Sequence, residues 1–345
     1  MSRRAEPELA VAPSGVVIEA IWPEIDGGRY PVKREVGDTL EVWTDIFKDG
    51  HGLLAAVVRF RRWRDDDWRE ADMELFDNDR WRASFVLEDN TRYFYQIEAF
   101  PDRFATWRDE LAKKADAGLD VALELREGRA IVAEALARAD DPDRATLADA
   151  IALLDGDTSP AAKVAGALAE PLAAAMRRHR SRAGAARSPE LEVVVDRVKA
   201  RFAAWYEFFP RSAGTEPGRS ATFAEAAARL PAIAAMGFDT VYLPPIHPIG
   251  RTFRKGPNNT LGAGPNDPGV PYAIGNEAGG HDAIEPGLGT LADFRAFVER
   301  AGALGMEVAL DFAVQASPDH PWVREHPAWF TVRPDGSIQY AENPP

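Results

Sequence analysis

Between Asp239 and Trp322 two strand-like runs each end in a polar cluster, DTVYLPPIHPIGRTFRKGPNN and then, after a helical pattern, MEVALDFAVQASPDHPW. Strand, helix and strand in this order demand parallel pairing with a right-handed crossover. Where parallel strands close into a barrel, catalytic and binding residues sit at the carboxyl ends of the strands and in the loops beyond them. The polar residues just past Leu243 and Leu310 are therefore the first place to look for chemistry.

The same alternation reaches upstream. Phe202–Phe209 reads as a strand ending in Pro-Arg-Ser-Ala-Gly214, Phe223–Met236 as a helix closed by Gly237, and Thr240–Leu243 as a strand. A helix over Leu291 to about Leu304 and a strand over Glu307–Asp311 complete a βαβαβ series. The stretch from Pro244 to about Thr290 is rich in Gly, Pro and Asn. It is far longer than the roughly 2–6 residues usual for such a connection, and loops of that length are mostly functional.

Composition narrows the function. Lys and Arg number 41 against 55 Asp and Glu, a net charge of −14, which argues against nucleic acid because phosphate backbones need clustered cations. The absence of cysteine removes disulfides, thiolate metal sites and Cys nucleophiles together. MSRRAEPELAVAPSG has no apolar core of a secretory signal, and no later run approaches a membrane span, so a cytoplasmic protein with no membrane partner is expected.

Residues 1–15 read as a flexible N-terminus. Over 16–106, short runs such as Thr39-Leu-Glu-Val-Trp43, Ala55-Ala-Val-Val-Arg-Phe60 and Arg92-Tyr-Phe-Tyr-Gln-Ile97, parted by turn signals such as Asp49-Gly50, predict an immunoglobulin-like β-sandwich. Trp63, Trp68 and Trp81 could offer a sugar-stacking surface or simply pack in the core and along edges. Residues 107–187 turn Ala-rich and helical. Val164, Leu168, Leu172 and Met176 lay one stripe along a helix that Pro171 should kink or restart, facing either another helix or a second subunit. The basic run Arg177–Arg182 suits a helix C-terminus better than a phosphate patch. Ala185–Pro189 reads as a linker, and 190–345 as the α/β part.

Three runs carry a resemblance: Gly237-Phe-Asp-Thr-Val-Tyr-Leu-Pro-Pro-Ile-His247, Ala283-Ile-Glu-Pro-Gly-Leu-Gly-Thr-Leu-Ala-Asp-Phe294 and Gly305-Met-Glu-Val-Ala-Leu-Asp311. Together they are similar to the scaffold of the α-amylase superfamily. Within it, Tyr206–Ser212, Pro245–Asn259 and Asp311–Pro321 resemble the maltosyltransferases that use α-maltose 1-phosphate to extend α-1,4-glucans. The resemblance implies a multidomain fold with an N-terminal β-sandwich, an α-helical insertion and an incomplete (β/α)8 TIM barrel, a homodimer, and no cofactor. Donor and acceptor would be α-maltose 1-phosphate and an α-1,4-glucan.

Ordinary α-amylases carry Asn-His four residues after the third-strand Asp, where this chain has Gln315 and Ala316. The maltosyltransferases have Gln there. By resemblance Lys255, Asn259 and Gln315 bind the donor, Asn343 matches a further substrate-site Asn, and Asp311 organises the site by hydrogen bonds. Each has a plainer reading: Lys255 as a solvated cation beside Arg254, Gln315 as a satisfied buried amide, Asn259 as a turn former. His247, His281 and His320 are too scattered along the chain for a metal-ligand spacing.

The implied reaction is retaining glycosyl transfer, in which an Asp attacks the anomeric carbon, a Glu serves as acid and base, and phosphate leaves. In the family both carboxylates follow strands four and five, beyond Pro345. The chain alone is expected to be inactive, and its third barrel strand to be an unpaired edge prone to aggregation. Alternatives are another α-amylase superfamily enzyme, such as a trehalose synthase or branching enzyme, and a non-enzymatic glucan-binding or dimerisation module over 16–187.

Overall fold

The computed structural model describes residues 15–140 and 142–339, which divide into two compact units, one ending at Ala200 and the other beginning at Arg201. All but one residue of the N-terminal stretch 1–15, and Asn343, lie outside the described residues.

The first unit opens with eight strands: β1 (Val16–Trp22), β2 (Val32–Glu35), β3 (Thr39–Lys48), β4 (Leu54–Arg62), β5 (Arg69–Asp72), β6 (Glu74–Asp77), β7 (Arg80–Val86) and β8 (Arg92–Pro101). Helices α1 (Arg103–Asp116), α2 (Ala122–Leu136), α3 (Asp143–Asp155), α4 (Pro160–Ala167) and α5 (Glu170–Arg178) follow, then β9 (Ala186–Arg187) and β10 (Leu191–Asp196). One sheet has the order β1-β3-β7-β6, the other β2-β10-β8-β4-β5 with β9 on β8. Alternation fixes their inner faces. On β3, Leu40, Val42, Thr44 and Ile46 are buried while the residues between them are not. Leu40, Val42 and Ile46 share one core with Val58 and Phe60 of β4, Tyr93, Tyr95 and Ile97 of β8, and Val193 and Val195 of β10.

Two boundaries move from where the pattern put them. Helix α1 starts at Arg103 because the carboxylate of Asp102 accepts from the amide of Ala105, capping the first turn four residues ahead of Trp107. The segment read as a linker and the start of the α/β part is sheet instead: β9 pairs with β8, and β10 slots between β2 (parallel) and β8 (antiparallel). Leu191, Val193 and Val195 thereby enter the first unit's core.

The helices have their own core, with Trp107, Leu111, Leu125, Val132, Leu147, Leu172 and Met176 buried together. Pro171 restarts the chain as foreseen: α4 ends at Ala167, and α5 begins at Glu170 with the proline in its first turn, where its missing N–H costs nothing. The basic run is not left to solvent. Arg177 pairs with Glu170, Arg178 and His179 with Asp143, Arg180 with Asp72 and Asp102, and Arg182 with Glu70.

The second unit contains β11 (Trp205–Glu207), α6 (Phe223–Ala227), α7 (Leu230–Ala235), β12 (Thr240–Leu243), α8 (Leu291–Ala303), β13 (Glu307–Leu310) and α9 (Trp322–Glu325). The three strands form one parallel sheet in the order β11-β12-β13. The strand expected over Phe202–Phe209 shrinks to three residues, because only these find a ladder partner before Pro210 opens a 3-10 turn. The helix expected over Phe223–Met236 is broken. Pro231 has no N–H to give the carbonyl of Ala227, so α6 stops there and α7 begins anew. Reciprocal capping boxes start α6 at Thr222 with Glu225, and α8 at Thr290 with Asp293. Phe223, Leu230, Ile233, Val241, Leu243 and Phe297 are the centre of the core.

Gly128 marks the tightest helix contact of the first unit: a Cβ there would overlap the indole of Trp107, whose Nε1–H donates to the carbonyl of Glu124 at 2.6 Å. Gly302 near the end of α8 faces open space. Gly128→Ala should therefore cost about 1–3 kcal/mol by overpacking. Gly302→Ala should stabilise by about 0.5–1 kcal/mol through helix propensity. Denaturant unfolding followed by circular dichroism checks both, and equal effects at the two positions would refute the packing account.

Candidate functional site

Parallel pairing brings the ends of β12 and β13 level. Leu243 lies opposite Leu310, and the amide of Asp311 donates to the carbonyl of Leu243 at 2.9 Å, extending the ladder by one bond. Asp311 thus stands at the carboxyl edge of the sheet, where the long loop after β12 also begins. Its carboxylate lies close enough to two phenols, those of Tyr242 on β12 and Tyr272 on the loop, to raise the pKa of both. Contact with this carboxylate, aided by burial, pushes Tyr272 up to about 12, while burial first and Asp311 second raise Tyr242.

The loop carrying Lys255 and Asn259 is held by its own polar groups. The guanidinium of Arg254 donates to the carbonyls of Asp267 (2.8 Å) and Pro268 (2.9 Å). Arg211 reaches the same Pro268 carbonyl at 3.3 Å, and burial together with Arg254 holds its pKa below the ordinary value. Gly256 donates to Thr260 at 2.9 Å, closing a tight turn in which Asn258 and Asn259 both take left-handed φ, 56° and 62°. Asn259 is exposed and does form the turn; Lys255 is half-buried, and among the described residues no carboxylate pairs with it.

Gln315 lies on the segment after β13. It is exposed, so the reading of a satisfied buried amide is withdrawn. No hydrogen bond joins Lys255, Asn259 and Gln315 to one another. Their two loops are joined instead by Asp319, which accepts from the amides of Arg251 (2.6 Å) and Thr252 (2.7 Å) and from the Thr252 hydroxyl (2.6 Å). Ser317 adds two more links, its amide donating to Ile274 at 2.7 Å and its hydroxyl to Gly275 at 2.6 Å.

The histidines, scattered in sequence, converge in space. His247 and His281 have ring centroids 5.5 Å apart, and His281 and His320 5.1 Å. Their nitrogens are largely spent on protein: His281 bonds His320 at 3.0 Å and the Ala313 carbonyl at 2.7 Å, and His247 bonds the Ala283 carbonyl at 2.8 Å. Among the described residues no group of three or more His, Asp or Glu side chains could hold a metal. In the first unit Trp81 is in the core at 8% exposure, Trp68 is packed against the guanidinium groups of Arg59 and Arg61, and Trp63 is covered on one face by Arg92. The three do not share one open stacking surface.

Comparison with known proteins decides the family. The profile described as alpha-1,4-glucan:maltose-1-phosphate maltosyltransferase, domain N/S, matches residues 14–197. The chain belongs to that family. Proteins named alpha-1,4-glucan:maltose-1-phosphate maltosyltransferase from Myxococcus xanthus and Rhodospirillum rubrum are similar to it, 54% identical over 96% of this chain and 51% of theirs, and 50% identical over 100% and 53%. The chain thus spans about half the length of these maltosyltransferases. Among solved structures, an alpha-amylase from Lactobacillus plantarum is 38% identical with a TM-score of 0.33, over 41% of this chain and 29% of its own, too small an overlap to bear on the fold.

Neither Tyr242 nor Tyr272 stands out in the sequence as a site residue. Tyr242 could have been found, since on β12 it alternates with the buried Val241 and Leu243 and so takes the other face. Tyr272, in an irregular loop, gave no signal. Asp311→Asn should return Tyr272 toward its ordinary value near 10. Followed by NMR of labelled tyrosine between pH 9 and 11, Tyr272 should titrate in the variant but not in the parent. Identical behaviour in both would remove the contact.

Proposed function

We propose that this chain recognises α-maltose 1-phosphate. In an enzyme of the family's full length it would serve transfer of the maltosyl unit to the non-reducing end of an α-1,4-glucan. The observation that carries this reading is Lys255, a half-buried cation on the loop after β12 that has no carboxylate partner among the described residues, on a loop fastened by Arg254 and Asp319. A phosphate dianion needs such an unspent cation. Gln315, exposed on the facing loop, supplies an amide able both to donate to and accept from sugar hydroxyls. Asn259 is a second polar group on the Lys255 turn, and Asn343 is proposed to join them.

In this reading the two sheets of the first unit are a β-sandwich, its helices an insertion, and β11, β12 and β13 the first three strands of a (β/α)8 barrel. The setting is a cytoplasmic homodimer; among the described residues no helix is long and apolar enough to cross a membrane. The chemistry is double displacement with retention. An Asp forms a bond to the anomeric carbon as the bond to the phosphate oxygen breaks, and phosphate departs. The 4-hydroxyl of the glucan then attacks, a Glu takes its proton, and the ester to the enzyme breaks. Asp311, whose charge acts on the neighbouring Tyr242 and Tyr272, is in this reading a positioning group and not this nucleophile. Both reacting carboxylates are assigned to the part of the family's length that the chain does not span.

Calorimetric titration tests the donor reading. The chain should bind α-maltose 1-phosphate without releasing phosphate. Lys255→Ala should weaken that binding roughly 10–100-fold, the span of one charge-assisted hydrogen bond, and leave maltose binding unchanged. Equal losses for maltose and its phosphate would remove the phosphate role, and phosphate turnover by the chain would sink the division of labour.

A further inference from the structure

The loop after β12 and the segment after β13 are tied together by an imidazole pair whose protonation follows from its partners. The carbonyl of Ala313 can only accept, so His281 Nε2 carries the hydrogen of that 2.7 Å bond. His281 Nδ1 is then bare and accepts, at 3.0 Å, from His320 Nε2–H. That leaves His320 Nδ1 bare, and it accepts from the amide of Trp322 at 3.1 Å. One assignment satisfies all three bonds: both rings neutral, both with the hydrogen on Nε2.

The pair is also boxed in. His320 is 1% exposed, between Gly275 and Gly280, where a Cβ at either position would overlap its ring. The ring of Trp322 stacks on His281 at 5.1 Å and 6°. Neither imidazole can turn aside when a proton arrives. A proton on His320 Nδ1 would face the Trp322 N–H, and one on His281 Nδ1 would face the His320 N–H.

We infer that His281 and His320 are positioning residues that hold the Gln315 segment against the Lys255 loop only while both rings are neutral, making the arrangement of the two loops sensitive to acid. The inference rests on the donor-site reading for its functional meaning, though not for its geometry. Burial favours the neutral state, and pushes His320 and the neighbouring His247 below the usual histidine range. Asp282 and Glu325 favour the charged form of His320, and His247 opposes it. Because the folded value of His320 is depressed, its contribution is complete above the unfolded value of about 6.5 and lost as pH falls toward the folded one.

The test is NMR of the full chain labelled at histidine nitrogen and backbone amide, titrated from pH 8 to 5. Both rings should show the Nε2–H tautomer at pH 8. The amides of Ala313, Gln315 and Thr252 should shift with one common midpoint below about 6.5, the midpoint of His320. In His320→Gln, whose amide can keep the donor to His281 Nδ1 but cannot charge at His320, that common shift should be lost while the pH 8 spectrum is retained. An Nδ1–H tautomer in either ring, or an undiminished loop response in a folded His320→Gln, would overturn the inference. If His320→Gln does not fold, His281→Asn, which keeps an acceptor for His320 Nε2–H and leaves His320 able to charge, should retain the common loop shift at the His320 midpoint, and its loss in that folded variant would overturn the inference. Added α-maltose 1-phosphate separates the two readings. Failure to bind at any pH refutes the donor site and leaves the relay standing; binding whose affinity does not follow the amide midpoint refutes the positioning role.

Discussion

Everything at the candidate site hangs on the parallel ladder between β12 and β13. Their register, Thr240 opposite Glu307 through Leu243 opposite Leu310, makes the strands end level, and the Asp311 bond to Leu243 carries the pairing one residue past the strand. Two loops far apart in sequence therefore leave the sheet side by side. Side chains at i and i+2 share a face, so Val241 and Leu243 go to the core while Tyr242 lies on the face where Asp311 can be reached. A slip of one residue would reverse those faces. It would bury the phenol and expose the core.

Once side by side, the loops are fixed by polar groups as well as by the buried Ile246, Ile249 and Ile274. Asp319, Ser317 and His281 bond to backbone across the gap, and His320 bonds across it to the His281 ring. Long irregular segments suit this arrangement, since their backbone amides and carbonyls lack ladder partners and must be satisfied by something. Glycine completes it. With Cβ atoms at Gly275 and Gly280 the His320 ring would have no slot, and the loop could not approach.

Much of this order was legible because periodicity is local. The strands β12 and β13 and the helix α8 appear where alternation and spacing put them, and Thr290 with Asp293 announces α8 in the sequence itself. The proline rule that foresaw the restart at Pro171 applies equally at Pro231, where the reading ran the helix through. What was not legible is pairing between distant segments. Leu191–Asp196 alternates like any strand, and only the vacancy between β2 and β8 decides that it returns to the first unit. His281 and His320 stand 39 residues apart and meet because two loops leave one sheet edge, a fact of topology and not of spacing.

Charge is handled differently in the two places where cations gather. In the first unit the arginines from 177 to 182 each meet a carboxylate, and a pair of that sort is structural: its field is spent on its partner. Around Lys255 the neighbours are differently employed. Arg254 is used on carbonyls, Asp267 on the amide of Gly264, and Asp319 on the amides of Arg251 and Thr252. In a chain with 14 more acidic than basic residues, an ammonium left without a carboxylate among the described residues is against the average. The nearby acids have been engaged by backbone, which neutralises their claim on the lysine without adding a cation to compete for an anion. In the proposed reading, that allocation leaves the Lys255 ammonium for the phosphate of a ligand.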